Sequence, residues 1–194
     1  MTFLNGATIR RVADLYLALL HYPVVDRNGR VVTSAITSLD LHDLARSART
    51  YDLGAFFVVH PVPEQREFAL RLLEHWQTGY GRLFDVRRRE ALELVRVVAT
   101  LEEARSQAQA TSGTPPALVF TSARSEGGTS FAAIRARVEA PGAVMILLGT
   151  GFGLAASVRS QCDLVLEPIR GPGPYNHLSV RAAGSIILDR LRSR

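Results

Sequence analysis

The sequence predicts an α/β fold, with a mostly parallel sheet flanked by helices on both faces. Short, continuous apolar segments alternate along the chain with segments of helical periodicity, which is the pattern of repeated strand and helix units. Apolar residues make up 47% of the 194 residues, enough for one sizeable core. The chain shows neither an internal repeat nor a linker-like composition. We therefore expect a single domain over residues 1–194.

The strands are predicted from apolar runs bounded by proline, glycine or polar residues. Residues 15–21 and 55–60 are continuous apolar segments, typical of parallel strands that are buried on both faces. Shorter runs predict further strands at residues 83–86, 118–122, 144–148 and 164–166.

The helices are predicted from periodicity and from capping residues. A second helix opens after Pro61 and Pro63, with Phe68, Leu72 and Trp76 forming its apolar face. Asn176 is the expected N-cap of the last helix. The other helices are expected at residues 40–50, 88–109, 130–139 and 178–191.

Composition narrows the class of protein. Cys162 is the only cysteine and the five histidines are scattered, so neither a disulfide nor a metal site is expected. No apolar run approaches the length of a membrane span, and the N-terminus around Arg10 and Arg11 lacks a signal-peptide core. We expect a cytoplasmic protein without a membrane partner.

The charge is weakly informative about a partner. Net charge is +5, and every basic residue is arginine. Guanidinium groups match phosphate oxygens, which favours a nucleic-acid partner. A genome rich in G and C would also favour arginine codons, and both explanations stay open.

A glycine-rich segment follows the predicted strand at residues 144–148. Gly149, Gly151 and Gly153 alternate there, which lets the backbone approach a ligand closely. A plain strand-to-helix turn is the alternative, although one glycine would suffice for it. The pattern is not a dinucleotide fingerprint, because Leu154 replaces the third glycine and too little chain follows. It is not a P-loop either, since the chain contains no lysine.

A second unusual segment connects the last predicted strand to the last helix. It begins with Glu167-Pro168 and contains two Gly-Pro pairs at residues 171–174, which make a stiff loop. Parallel strands expose ligand sites at their carboxyl ends. The glycine-rich segment and this loop are therefore expected to form neighbouring walls of one site.

Together these segments resemble the SPOUT RNA methyltransferases. The resemblance rests on the glycine-rich segment, on Glu-Pro-x-x-Gly at residues 167–171, and on Tyr-Asn-His-Leu-Ser-Val at residues 175–180. It is greatest for the small stand-alone group related to the tRNA guanine-N1 methyltransferases, and looser for the ribose 2′-O methyltransferases. Residues 118–191 carry the specific match, whereas the first half fits by the order of its strands and helices.

The resemblance implies a fold, a cofactor and partners. A C-terminal trefoil knot would hold S-adenosylmethionine (SAM), and the protein would act as a homodimer, through the knot and the last helix, on tRNA or rRNA. By position in the sequence, the residues implied to bind the cofactor are Thr121, Ser122, Gly149, Thr150, Gly151, Gly153, Ile169, Tyr175, His177, Leu178 and Ser179.

Candidate catalytic residues are fewer. The resemblance implies an arginine and an asparagine from the first half of the domain, for which Arg27 and Asn28 are the candidates. His177 could act as a base. Arg124 is a further candidate for contacts with RNA, while His21 and His60 are interpreted as structural. No aspartate lies between Glu167 and Ser179, which departs from the guanine-N1 enzymes.

Three functions follow as hypotheses. The first is SAM-dependent methylation of a structured RNA. The second is a catalytically silent domain that binds SAM or another adenine nucleotide and regulates a partner. The third, a Rossmann-type oxidoreductase, is disfavoured by the position of the glycine-rich segment near the C-terminus.

Overall fold

A six-stranded parallel sheet forms the centre of the molecule, in the order β5-β4-β1-β7-β6-β8. The computed structural model describes residues 14–193, with the side chain of Arg82 excepted; Arg10 and Arg11 lie outside this range. In the sheet, β1 (Asp14–Leu20) pairs with both β4 (Ala55–Val59) and β7 (Ala143–Gly149). The remaining strands are β5 (Val95–Val98), β6 (Ala117–Phe120) and β8 (Leu164–Val165).

Helices cover both faces of this sheet, as predicted. The helices on one face are α1 (Ser38–Thr50), α2 (Pro63–Gln77), α4 (Val86–Leu92), α6 (Phe131–Glu139) and α8 (Val180–Arg192). The opposite face is covered by α5 (Leu101–Ser112) and α7 (Ala156–Arg159). Two smaller elements are the hairpin of β2 (Val24–Val25) and β3 (Val31–Val32) and the short α3 (Gly81–Phe84).

The strand at residues 83–86 and the long helix at residues 88–109 were wrong predictions. The chain forms α3 and α4 in this region, then β5, then α5. Val95 and Val98 are buried and extend the sheet through pairs with Phe56 and Val59. Branched side chains favour this extended pairing over a helix. Thr100 then starts α5, because its side chain accepts a hydrogen bond from the Glu103 amide.

Two details of the helices also differ from the prediction. In α2 the fully buried side chains are Ala69 and Leu73, whereas Phe68 is 44% exposed. The expected apolar face is therefore displaced, with Leu72 and Trp76 packing half-buried against the core. Ser179, not Asn176, caps α8 by accepting from the Ala182 amide at 3.2 Å.

The C-terminal segments cross closely at the edge of the sheet. The Thr129 amide donates to the Val165 carbonyl at 2.7 Å, and the Glu167 amide donates to the Thr129 carbonyl at 2.9 Å. Beyond this crossing, α8 returns to pack between α1 and α6. The loop after β6 and the loop after β8 are thereby brought together.

Among residues 14–193, no helix is long and apolar enough to cross a membrane. The same residues contain no group of three or more histidine, cysteine or acidic side chains placed to hold a metal ion.

Candidate cofactor site

A cavity of about 410 Å³ opens at the carboxyl ends of β6, β7 and β8. Three segments supply most of its wall: the loop after β6, the glycine-rich segment after β7, and the loop from β8 into α8. The start of α1 and the first turns of α8 complete it. The lining residues, by number, are 35, 37, 40, 121–124, 148–153, 166–169, 176–181, 183 and 187. The location agrees with the rule that parallel sheets bind ligands beyond their strand ends.

Main-chain hydrogen bonds to the β2–β3 hairpin fix the glycine-rich segment. The Val25 amide donates to the Gly153 carbonyl at 2.9 Å, and the Phe152 amide donates to the Val25 carbonyl at 3.1 Å. Gly151 has φ +59°, a left-handed conformation that branched residues adopt at a cost. A Cβ at this position would lie 3.3 Å from the Val25 carbonyl oxygen.

The loop after β6 is anchored to the sheet by Thr121. Its hydroxyl donates to the Leu147 carbonyl at 2.7 Å, which ties this loop to β7. Arg124 lies at the mouth of the cavity, with its guanidinium 5.6 Å from the centre of the Phe152 ring. Phe152 itself is 45% exposed. The mouth therefore carries one cation and one accessible aromatic face.

The loop after β8 is tied to its neighbours by side chains. Glu167 accepts a hydrogen bond from the Phe131 amide at 2.6 Å, at the start of α6. Asn176 donates from Nδ2 to the Ala123 carbonyl at 3.0 Å, which joins this loop to the loop after β6. Asn176 thus closes the wall of the cavity in place of its predicted capping role.

Ten of the eleven predicted cofactor-binding residues line this one cavity. Tyr175 is the exception: its side chain is 79% exposed and lies outside the lining. His177, the candidate base, is among the lining residues. The convergence confirms that the two loops lie together, while the binding role of each residue stays a prediction.

Arg27 and Asn28 do not line the cavity. They are exposed in the turn between β2 and β3, where Asp26 accepts hydrogen bonds from the amides of Asn28 at 2.8 Å and Arg30 at 2.9 Å. The turn is a self-contained loop at the tip of the hairpin. The structure therefore separates the predicted catalytic arginine and asparagine from the predicted cofactor site.

His21 and His60 are buried beneath the glycine-rich segment. His21 Nδ1 contacts the Ser34 hydroxyl at 3.1 Å, and that hydroxyl is hydrogen-bonded to Thr150. His60 Nε2 contacts the Ser34 carbonyl at 3.0 Å and His60 Nδ1 accepts from the Val62 amide. Burial, and then the charge of His60, lowers the pKa of His21 to about 4. Their burial and hydrogen bonds agree with the interpretation of both rings as structural, and that interpretation stays a prediction.

The start of α1 contributes residues that the sequence reasoning missed. Ala35, Thr37 and Asp40 line the cavity, and Asp40 is buried. Arg181 of α8 donates to Asp40 from Nη1 at 2.8 Å. Thr37 followed by Asp40 is a helix-start pattern that could have been noticed, but nothing local places it beside a residue 141 positions away.

Solved structures of methyltransferases share this architecture. The SpoU methyltransferase AviRb from Streptomyces viridochromogenes, solved in complex with the cofactor AdoMet, matches with a TM-score of 0.58 at 18% identity. The match covers 93% of this chain and 57% of that chain. At this identity the likeness shows the fold, and this fold implies the C-terminal trefoil knot that was predicted.

The family follows from the sequence. The pattern of the family described as "SAM-dependent RNA methyltransferase" matches residues 14–193, and the chain belongs to that family. A protein named tRNA (guanine-N(1)-)-methyltransferase from Oleidesulfovibrio alaskensis is 43% identical over 179 residues, covering 92% of this chain. An uncharacterized protein from Aquifex aeolicus is 38% identical over 183 residues, covering 93% of this chain and 89% of its own length.

The lengths of these relatives differ. The chain spans 42% of the Oleidesulfovibrio alaskensis protein, less than half of its length. The name of that relative therefore describes a protein much longer than the part that is matched.

Proposed function

We propose that this chain transfers a methyl group from SAM to a structured RNA, with the cofactor held in the cavity between the three loops. The observation that carries the proposal is the convergence on one cavity of ten residues that the resemblance implied to bind the cofactor. They come from three separate strand ends and meet because the sheet is parallel. Membership of the SAM-dependent family supports the choice of cofactor.

The chemistry of the cavity fits an adenosyl group. Its volume lies within the range of about 300–1,000 Å³ common for small-ligand sites. Ile169, Leu178 and Ile187 offer apolar surface for a flat ring, and the glycine-rich segment places main chain in the wall of the cavity. A slot with apolar sides and main-chain donors and acceptors can recognise the edge of an adenine.

When bound, SAM supplies a methyl group on a positively charged sulfur; the nucleophile attacks the methyl carbon in line with the sulfur, which leaves. The protein then has to position the acceptor and remove its proton. His177 lines the cavity and is exposed, so it can reach an acceptor that enters from the mouth. Arg124 lies at the same mouth, where its guanidinium can meet an RNA phosphate.

Unmodified tRNA is the first substrate to test, with rRNA as the second. The names of two relatives, from Oleidesulfovibrio alaskensis and Nitratidesulfovibrio vulgaris, support tRNA. The segment between Glu167 and Ser179 lacks the aspartate of the guanine-N1 enzymes. We therefore do not extend the proposal to the N1 atom of guanine, and mass spectrometry of the product should identify the acceptor.

Calorimetric titration tests the cofactor first. We expect binding of SAM and S-adenosylhomocysteine, and no binding of NAD. Methyl transfer from radiolabelled SAM to unmodified tRNA and rRNA then tests the activity. Binding of NAD in preference to SAM would reject the proposal at its first step.

A silent SAM-binding domain is the second candidate, and one observation favours it. Arg27 and Asn28, the expected catalytic pair, lie away from the cavity. Tight binding of SAM, with no label transferred to any RNA from a strain that lacks this protein, would select the silent domain over the enzyme.

We also propose a homodimer through the knot and the last helix. Leu178 and Tyr175 support it, because both are large, exposed side chains directly before α8, at 42% and 79% exposure. Paired apolar surface of this kind typically marks an association site. Light scattering after size exclusion measures the mass directly.

A further inference from the structure

An ion pair is built into the wall of the cavity. Arg181 donates from Nη1 to Asp40 Oδ1 at 2.8 Å, and its Nε lies 3.3 Å from Asp43 Oδ2. The side chain of Asp40 is only 8% exposed, and its second oxygen accepts from the Thr37 hydroxyl at 2.6 Å. Arg181 and Asp40 both line the cavity, whereas Asp43 does not.

Joining α1 to α8 does not by itself account for this pair. The two helices are already connected by the hydroxyls of Ser47 and Ser185 at 2.8 Å, and by Tyr51, which donates to Asp189 at 2.9 Å. Gly184 adds close packing against Leu44. Burying charges costs free energy that apolar contacts would not cost. A cation in the first turn of a helix is also opposed by the helix dipole.

The hydrogen-bonding capacity of the pair is not exhausted. The contacts of Arg181 with the two carboxylates use Nη1 and Nε, and among residues 14–193 no group takes a hydrogen bond from Nη2. Each oxygen of Asp40 accepts one hydrogen bond and has a second lone pair. The cavity wall therefore offers a donor group and an acceptor group side by side.

We propose that Arg181 and Asp40 bind the amino-acid end of SAM, with Arg181 Nη2 donating to its carboxylate and Asp40 accepting from its ammonium group. The inference rests on the proposed function, and it assigns one part of the cofactor to one part of the cavity. One arginine and two carboxylates give the cluster a formal charge of −1. SAM carries a net charge of about +1 from its ammonium, sulfonium and carboxylate groups, so the charges are complementary.

An RNA phosphate fits this cluster less well. Asp40 and Asp43 already neutralise Arg181, and a phosphate would approach a group of net negative charge. A zwitterion can place its carboxylate against Arg181 and its ammonium group against Asp40. The amino-acid end of the cofactor is therefore the favoured occupant, and phosphate binding becomes an outcome that the experiment can detect.

The test compares two ligands that differ only at the amino-acid end. S-adenosylhomocysteine carries that end, and 5′-methylthioadenosine lacks it. In Arg181→Gln and Asp40→Asn we expect the affinity for S-adenosylhomocysteine to fall about 10- to 100-fold, the usual range for a lost charge-assisted hydrogen bond. The affinity for methylthioadenosine should stay within about twofold of wild type. Titration calorimetry of the full chain measures both.

Arg190→Gln is the matched control, because Arg190 also lies on α8 but stacks on Phe131 away from the cavity. It should change neither affinity. Equal losses for both ligands in Arg181→Gln and Asp40→Asn would overturn the inference and assign the pair a structural role. Wild-type protein that binds the two ligands equally well would also overturn it, while leaving the proposed function intact.

Other outcomes separate the two proposals. Wild-type protein that binds neither ligand would contradict the proposed function itself. Loss of RNA affinity in Arg181→Gln, with unchanged affinity for S-adenosylhomocysteine, would reassign the arginine to phosphate. Asp40→Asn preserves the shape of the side chain, so the comparison remains decisive even if Arg181→Gln folds poorly.

Discussion

Gly151 lines the cavity and has a backbone conformation that favours glycine. Its φ is +59°, and a Cβ added there would lie 3.3 Å from the Val25 carbonyl oxygen, which leaves little room for a branched side chain. We predict that Gly151→Val reduces the affinity for SAM at least about 10-fold, because the loop must shift to relieve about 1–3 kcal/mol of strain. Calorimetric titration with SAM is the measurement.

Gly113→Val supplies the matched control for this change. Gly113 has φ +77° at the end of α5, and no atom lies within 4 Å of its Cβ position. It should lose similar stability to the same backbone strain, yet bind SAM as tightly as wild type. Equal affinity for SAM in the two variants would show that the glycine-rich segment is not part of the cofactor site.

His21 couples the core to the same segment. The ring is fully buried, its Nδ1 contacts Ser34, and Ser34 bonds Thr150. Its Nε2 has no partner among the described residues, so the imidazolium, which carries a proton on both ring nitrogens, would bury an N–H group without an acceptor. Protonation would therefore disfavour the fold and disturb the position of Thr150.

We predict that the free energy of unfolding falls as the pH drops from 7 towards 4. The pKa of His21 is about 4 in the folded chain, against an ordinary value of 6.5 for histidine. Between these values the unfolded chain binds more protons, so acidification favours unfolding by up to about 3 kcal/mol from this residue. Burial lowers the pKa of His60 as well, which acts in the same direction.

Urea denaturation at several pH values measures this dependence. His21→Asn should flatten it by about one proton relative to wild type, because the titrating ring is gone. An unchanged pH dependence in that variant would show that His21 does not carry the effect.

At the scale of elements, the sequence predicts strands buried on both faces better than it predicts the edge of the sheet. The runs that became β1 and β7 are continuous and apolar, and they lie in the centre of the sheet. The edge strand β5 has the sequence Val-Arg-Val-Val and is flanked by helix-forming residues. Helical periodicity on both sides therefore led to the prediction of one long helix across it. Its pairing with β4 is a long-range contact that a local pattern does not contain.

The candidate site likewise has parts that the sequence predicts and parts that depend on long-range packing. The loops that follow β6, β7 and β8 were predictable, because parallel strands bring their carboxyl ends to one edge. Asp40 and Thr37 were missed, because their place in the wall depends on how α1 packs against α8. Arg27 and Asn28 were chosen by their order in the chain, and the structure places them in the exposed turn at Asp26, outside the cavity lining.

The contact between α1 and α8 depends on Gly184. A Cβ there would lie 2.6 Å from Leu44 Cδ2 and 3.0 Å from Leu148 Cδ1. We predict that Gly184→Val lowers the free energy of unfolding by about 1–3 kcal/mol, since extra volume in a packed core forces side chains out of their rotamers. Urea denaturation measures it.

Ala132→Val in α6 is the control for this variant, because Ala132 is exposed on a helix and reports only the lower helix propensity of valine. If both variants lose the same stability, the close packing at Gly184 contributes nothing.

At the scale of the whole molecule, two exposed apolar surfaces among residues 14–193 are candidates for the proposed self-association. One comprises Tyr175, Leu178 and the half-buried Ile186, before and along α8. The other comprises Tyr80, Leu83, Phe84 and Val86 around α3, where Leu83 is 83% exposed. A stable dimer buries about 800 Å² on each partner, so whichever surface pairs must be largely covered.

We predict that Ile186→Arg converts a dimer into a monomer, because a guanidinium facing its own symmetry copy would be buried beside a like charge. Leu83→Arg, the matched change on the other surface, should leave the mass unchanged. Light scattering after size exclusion gives the mass, and thermal melting confirms that each variant is folded. Dissociation by Leu83→Arg alone would move the interface to α3, and a monomeric wild type would exclude both surfaces.

If α8 is the interface, the first turns that line the cavity lie next to the partner, and dimerisation and cofactor binding should weaken together in Ile186→Arg.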